Sequence, residues 1–504
     1  MTTQKDVAVG TARAAAASRL RSVRAAKPSL AALLPPAAVL LVLLLALAGQ
    51  YGFHRDELYF RLLPLAWGYT DQPPFTPLVA HLMRFVADEP WALRIPAAIV
   101  AALSAVVVGL LAAEVGGGRR AQALAAWGAG FGYYPLLLGH VLFTATFDLL
   151  VWPLILLCVL RAVLRHRGAW FLVAGLVAGL SLYNKLLVLA LLLSIAVGLA
   201  VAGPRRASVW GWATAGSLLV VVLGAPNLVY QLVHGLPQLQ VGAALTAQNA
   251  ADVRPFVLPF LLVLLGPFLV PIWVAGLVAP FRRHGWRDVR WLPVAFVVIV
   301  VIVLVMGAQL YYDLGVLTAV YAIGCVPATE WAATVGRRRL LAAGIAVNAV
   351  AAAVFALPLL PRDALPGTVL PSWNQSTRDQ LGWPALAAQI AAVPAADDPS
   401  TVLLTRNYGE AGAVERYAPS LADRVYSGHN AMHDLAAPPA GTRNIVAVGY
   451  NMGWLRPMFT RCRTVGRLHD PAGIASQEEG APVQVCTGRR APMSAIWDRA
   501  AWVG

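Results

Sequence analysis

Long apolar runs constrain this chain more than any other feature. Between residues 31 and 359 they follow one another at helix length, rich in Leu, Ala and Val and poor in charge. A helix crosses a hydrocarbon core of about 30 Å with about 20 apolar residues, whereas a membrane barrel uses alternating segments of about ten. Composition agrees: of 504 residues, 59% are hydrophobic and 12% are charged, against about 25% charged in a soluble domain. That stock of polar residues cannot cover a water-facing surface. The expected fold class is an all-α polytopic membrane protein.

Eleven spans are expected, at 31–50, 93–113, 121–139, 142–160, 168–183, 186–203, 208–228, 255–279, 291–308, 311–326 and 339–359. Read as one helix, 168–203 or 291–326 would run roughly 54 Å, well past the core thickness. Charge supports splitting both. The net charge of +15 is concentrated in short clusters between apolar runs, "GGGRR", "RAVLRHRG", "GPRR", "FRRHGWRDVR" and "GRRRL". With the N-terminus inside, eleven spans put all five clusters on the cytoplasmic side, as the positive-inside rule requires. The same distribution argues against a nucleic-acid partner. Lys5, Arg13, Arg19, Arg21, Arg24 and Lys27 make residues 1–30 a basic cytoplasmic arm rather than a cleaved signal.

The pattern changes near residue 361, giving a transmembrane domain at 31–360 and a second domain at 361–504. There "TVLLTRNYG" and "NIVAVGYN" read as strands, with the helical "AGAVERYA" after the first. An odd number of spans places this small α/β domain outside the cytoplasm. Its two cysteines, Cys462 and Cys486, could close one disulfide in that oxidising compartment. Cys158 and Cys325 fall in or near apolar runs and read as packing residues.

The same topology puts "YGFHRDELYF" at the start of a long external loop, 51–92, carrying Arg55, Asp56 and Glu57. Within that loop "ELYFRLLPLAW" and "PLVAHLMRFVA" read as helices lying on the membrane with apolar faces down. Asp148, Lys185 and Asp313 sit near the ends of apolar runs on the same side, where an unpaired charge costs at least about 2–3 kcal/mol. Either Lys185 snorkels and pairs with Asp148, or one polar cavity is lined by Asp56, Glu57, Asp148 and Lys185. Such a cavity suits group transfer. A carboxylate can take the proton of an attacking hydroxyl. Lys185, helped by Gln309, Tyr311 and Tyr312 of "GAQLYY", can neutralise a leaving phosphate. Outside the cytoplasm an activated sugar would arrive on a lipid phosphate.

"FHRDELYF" followed by "GYTDQPPFTPLVA" resembles the signature of the protein O-mannosyltransferase and aminoarabinose-transferase superfamily, most closely its bacterial family 39-like members of the actinobacterial type. The likeness continues through "GHVLFTATFDLL", "GLSLYNKLLV", "APNLVYQLVHGLPQL", "GAQLYY" and "RNYGEAGAVERYAP…VYSGHN". It implies a GT-C fold in the plasma membrane and inverting transfer from a polyprenyl-phosphate sugar to an envelope glycan, lipid or protein. It implies that Asp56 acts as base or orients the acceptor, with Arg55 at the substrate and Glu57 in support. Asp71 of "TDQPP" would tie the loop down. Relatives differ in their need for a divalent cation; Asp56 and Glu57 are the ligands one would use, and no other cofactor is implied. The hairpin "YYDLGVLTAVYA" departs from the family in lacking a proline, which weakens the donor contacts assigned to it. In the C-terminal domain Glu410, His429 and Asn430 are either turn residues or part of a cap that selects the acceptor.

Two other classes compete. A lipid or lipid-linked-sugar transporter would also carry charge in a bundle, but no internal repeat is visible. A scaffold has no use for carboxylates gathered with Lys185 on one face.

Overall fold

A computed structural model describes residues 23–307 and 309–504; most of the basic arm, up to residue 22, lies outside the described residues. The chain opens with α1 (Leu30–Leu47), followed by α2 (Arg55–Leu62), α3 (Phe75–Arg84) and α4 (Pro90–Glu114). Then come α5 (Arg119–Gly130), α6 (Tyr133–His140), α7 (Thr144–Leu164), α8 (Ala169–Ser181), α9 (Val188–Ala202) and α10 (Ala207–Val233). The bundle closes with α11 (Pro237–Val253), α12 (Val257–Leu264), α13 (Val270–Arg282), α14 (Trp291–Met306), α15 (Leu314–Trp331) and α16 (Val335–Ala356).

Every expected span coincides with helix, but not every one is a full-length rod. Among the described residues seven helices are long and apolar enough to cross a membrane, or eight if one pair bent by 76° around Gly266 counts as a span. The run 121–139 is broken between α5 and α6, and α8 and α9 have only 13 and 15 residues. Packing is close where glycines face each other. A Cβ on Gly276 of α13 would lie 2.0 Å from the Val320 carbonyl oxygen of α15, and one on Gly324 would lie 1.9 Å from that of Ile272. Small residues let two apolar helices associate through direct backbone contact.

All five basic clusters share one end of the bundle. Glu114 joins the ends of α4 and α7 through Arg161 (2.7 Å) and Arg165 (2.6 Å), Arg206 reaches Asp288 (2.8 Å), and Arg283 pairs with Glu330. The opposite end carries α2, α3, the turn at Lys185, the 309–313 hairpin and the C-terminal domain.

That domain contains α17 (Trp383–Ala391), α18 (Tyr408–Tyr417) and a five-stranded sheet: β1 (Thr401–Thr405), β2 (Val425–Ser427), β3 (Asn444–Val448), β4 (Phe459–Arg467) and β5 (Pro482–Arg489). The strand order is β2-β1-β3-β5-β4. The first three strands are parallel, while β5 runs antiparallel to β3 and β4. Cys462 and Cys486 face each other across β4 and β5 and are bonded at 2.04 Å.

One expectation is corrected here. Helix α2 does not lie on the membrane with its apolar side in lipid. Its Leu58, Tyr59 and Phe60 join Trp383, Leu403 and Val446 in a single buried core shared with the C-terminal domain. Helix α3, by contrast, exposes Leu78 and Leu82.

Candidate active site

The geometry of "HRDE" follows from a capping box. The His54 ring accepts from the Asp56 amide (3.1 Å), and the Glu57 carboxylate accepts from the His54 amide (2.8 Å). These bonds satisfy amides that a helix N-terminus leaves unpaired. They start α2 at Arg55 and fix Asp56 in its first turn, at the positive end of the helix dipole. Glu57 turns inward. It is fully buried, grips Arg94 through two bonds (3.0 and 2.9 Å) and accepts from the Leu142 amide (3.1 Å). Arg94 in turn donates to the carbonyls of Ala48, Gln50 and Gly52, which shapes the turn leading into the loop.

Asp56 turns the other way, toward two cavities. One, of ≈ 790 Å³, lies between α6, α12, α16 and the C-terminal domain; its wall mixes Tyr133, Tyr134, Phe260 and Phe355 with Arg55, Gln309, Asn348 and Gln375. The other, of ≈ 840 Å³, is lined by Lys185, Asn184, Asp71, Gln72 and Asn430 at one side and by apolar residues of α9 and α11 at the other. Asp56, Gln309, Tyr311 and Tyr408 line both.

Lys185 lies in the short connection between α8 and α9. Its ammonium is 4.4 Å from the Tyr312 ring centre and 5.7 Å from that of Tyr311. Aromatic faces of this kind hold a cation without neutralising it. Asp71 is held by the Tyr59 hydroxyl (3.0 Å) and the Asn430 side-chain amide (3.3 Å). Burial pushes its carboxyl up to about 7, against the pull of the Tyr59 hydrogen bond. Asp71 thus ties the loop to the C-terminal domain.

The structure therefore gathers Arg55, Asp56, Asp71, Lys185, Gln309, Tyr311, Tyr312 and Asn430 around the cavities. It does not gather four of the expected residues. Glu57 spends both oxygens on Arg94 and on backbone amides, so it neither reaches substrate nor suits a cation. Asp148 lines neither large cavity; it faces a small void of ≈ 20 Å³ with Tyr311, Tyr312 and Trp152, and its Oδ1 is buried without a partner among the described residues. Glu410 caps α18 by accepting from the amides of Arg406 (2.9 Å) and Asn407 (3.1 Å), and it faces a separate crevice with Gly449 and Glu479. Burial, reinforced by Glu478, raises its carboxyl to about 8. His429 is a stacked ring inside the domain, pushed down to about 3 by burial and hence neutral. Asp313 is fully buried and lines neither cavity. Among the described residues no cluster of three or more His, Cys, Asp or Glu side chains is arranged to hold a metal ion. With Glu57 committed to Arg94, the residues around Asp56 do not fit a divalent cation.

Tyr408 is the residue that sequence reasoning missed. Its hydroxyl donates to Oδ1 of Asp56 at 2.8 Å from the first turn of α18. A signal was present in "NYGE": Asn407 and Glu410 have the spacing of a capping box, which starts the helix at Tyr408.

Residues 71–230 match the model of the family described as dolichyl-phosphate-mannose-protein mannosyltransferase. The whole chain is similar in fold to ArnT from Cupriavidus metallidurans bound to undecaprenyl phosphate, with a TM-score of 0.57 and 16% identity over 91% of this chain and 98% of that one. The apo form of ArnT gives a TM-score of 0.54 at 16% identity, over 90% of this chain and 97% of that one. No curated protein matches the sequence significantly. These likenesses bear out the GT-C fold and the resemblance to membrane glycosyltransferases read from the sequence.

Proposed function

We propose that the protein transfers a sugar from a polyprenyl-phosphate donor to the hydroxyl of an acceptor on the outer face of the membrane. The observation that carries this reading is the position of Asp56, at the junction of two cavities of which only one holds Lys185. The donor occupies the Lys185 cavity. Its phosphate meets the ammonium and the Tyr312 hydroxyl, and its prenyl chain lies along the apolar residues of α9 and α11. The bound undecaprenyl phosphate of the structurally similar ArnT supports a donor of this class.

The acceptor enters through the second cavity, where aromatic rings and side-chain amides suit a molecule with both apolar surface and hydroxyls. Asp56 takes the proton of the acceptor hydroxyl as its oxygen attacks the anomeric carbon. The bond from that carbon to the phosphate oxygen breaks, and its electron pair leaves with the polyprenyl phosphate, whose charge Lys185 stabilises. Attack from the side opposite the phosphate inverts the anomeric centre. The basic end of the bundle, facing the cytoplasm, leaves this site and the C-terminal domain outside.

The test is to incubate purified protein with synthetic polyprenyl-phosphate sugars and a membrane-lipid and envelope-glycan extract. Release of free polyprenyl phosphate, together with a glycosylated product of inverted configuration, is expected from the wild type and not from Asp56→Asn. Movement of intact donor across vesicles without release would overturn the reading in favour of transport.

A further inference from the structure

The C-terminal domain supplies a polar group to the catalytic carboxylate. Tyr408 begins α18, and its ring is layered between Tyr59 of α2 (centroids 4.3 Å apart) and His429 (4.4 Å), which stacks on Trp502 (3.7 Å). The stack is fixed at its far side. Nδ1 of His429 accepts from the Tyr408 amide (3.4 Å), so Nε2 carries the proton and donates to the Gly504 carbonyl (3.1 Å). Helix α18 also sits directly on α2. A Cβ on Gly409 would fall 2.4 Å from Arg55 Cγ, and one on Gly412 would fall 2.7 Å from Leu58 Cβ. The first turn of α18 is thereby seated against α2 beside Asp56.

We infer that Tyr408 is a positioning residue for Asp56. Its hydroxyl pins Oδ1 and leaves Oδ2, which has no protein partner among the described residues, to receive the acceptor's proton. The assignment rests on the proposed role of Asp56, but the bond itself does not. A hydrogen bond donated to a carboxylate fixes its orientation. The other ionisable groups around Asp56 are His54, Arg55 and Tyr59 at its own helix, Asp71 of the loop, Lys185, Tyr311 and Tyr312, Tyr133 and Tyr134 of α6, and Asp379 and His429 of the C-terminal domain. None of them donates a hydrogen bond to its side chain.

Tyr408→Phe removes one oxygen and keeps the ring in the stack, so folding should survive. Two readouts separate the inference from the activity it serves. In full-length protein at one fixed pH, the rate of carbodiimide modification of Asp56, read by peptide mass spectrometry, reports how free the carboxyl group is and needs no substrate. Modification is expected to be several-fold faster in Tyr408→Phe, where Oδ1 has lost its partner. An unchanged rate overturns the inference whether or not the protein transfers sugar. Under turnover, kcat is expected to fall about tenfold with donor KM unchanged. A wild-type kcat also overturns it. If the faster modification is seen while the wild type releases no polyprenyl phosphate, the proposed function fails and the coupling between Tyr408 and Asp56 stands.

Discussion

Asp56 and Glu57 take opposite roles because successive positions on a helix point about 100° apart. Asp56 faces the junction of the cavities, while Glu57 faces Arg94, which is 1% exposed and has no other carboxylate partner among the described residues. Removing one member of a buried ion pair leaves the other charge uncompensated, at a cost of roughly 3–5 kcal/mol. Glu57→Gln should therefore lower the thermal midpoint of the detergent-solubilised protein clearly, whereas Asp56→Asn should leave it nearly unchanged. Equal midpoints would return Glu57 to the site. Sequence alone showed two carboxylates side by side. It could not show which was spoken for, because Arg94 lies 37 positions away. The surroundings of Asp148 were hidden for the same reason: an ionisable residue in an apolar run is visible, but Tyr311 and Tyr312, which share its void, come from the hairpin before α15.

Among the elements, the long apolar helices were the most legible, since each needs only its own residues to show its length. The strands β2, β4 and β5 were not read. The first is three residues long, and β4, "FTRCRTVGR", is mostly exposed and lacks the apolar alternation that marks a half-buried strand. Helix α2 was read as helical but given the wrong surroundings, because the apolar face that would suit a membrane equally suits the C-terminal domain. Its contact with α18 depends on the absence of side chains at Gly409 and Gly412. Gly412→Leu should force the two helices apart, with an overpacking cost of about 1–3 kcal/mol. Limited proteolysis should then cut the 357–382 connection faster than in the wild type while the bundle stays intact. Unchanged proteolysis would show that α18 can be displaced without cost.

For the whole molecule, the arrangement of basic loops was readable because it depends on counting rather than on contacts. The structure places Arg165, Arg206, Arg283 and Glu114 at one end and Asp56, Lys185 and the C-terminal domain at the other. Single cysteines introduced at Arg338 and at Arg461 in a variant with serines in place of Cys158, Cys325, Cys462 and Cys486 should report this. A membrane-impermeant maleimide should label the second in intact cells and the first only after permeabilisation. The reverse pattern would invert the protein in the membrane. The two cavities were beyond sequence reading, as their walls draw on segments from residue 54 to residue 504.

That span of sequence has a consequence in time. Asp56 and Tyr408 are 352 positions apart, yet they share one hydrogen bond. Translation at about 5–20 residues per second separates their emergence by roughly 20–70 s. For that interval the nascent chain has the loop and much of the bundle but not the domain that presses α2 into place. A chain that stalls or is cut before α18 would hold the lysine and the carboxylate without the hydroxyl that fixes Oδ1 of Asp56. Completion of the surroundings of Asp56 is thus deferred to the last stage of synthesis.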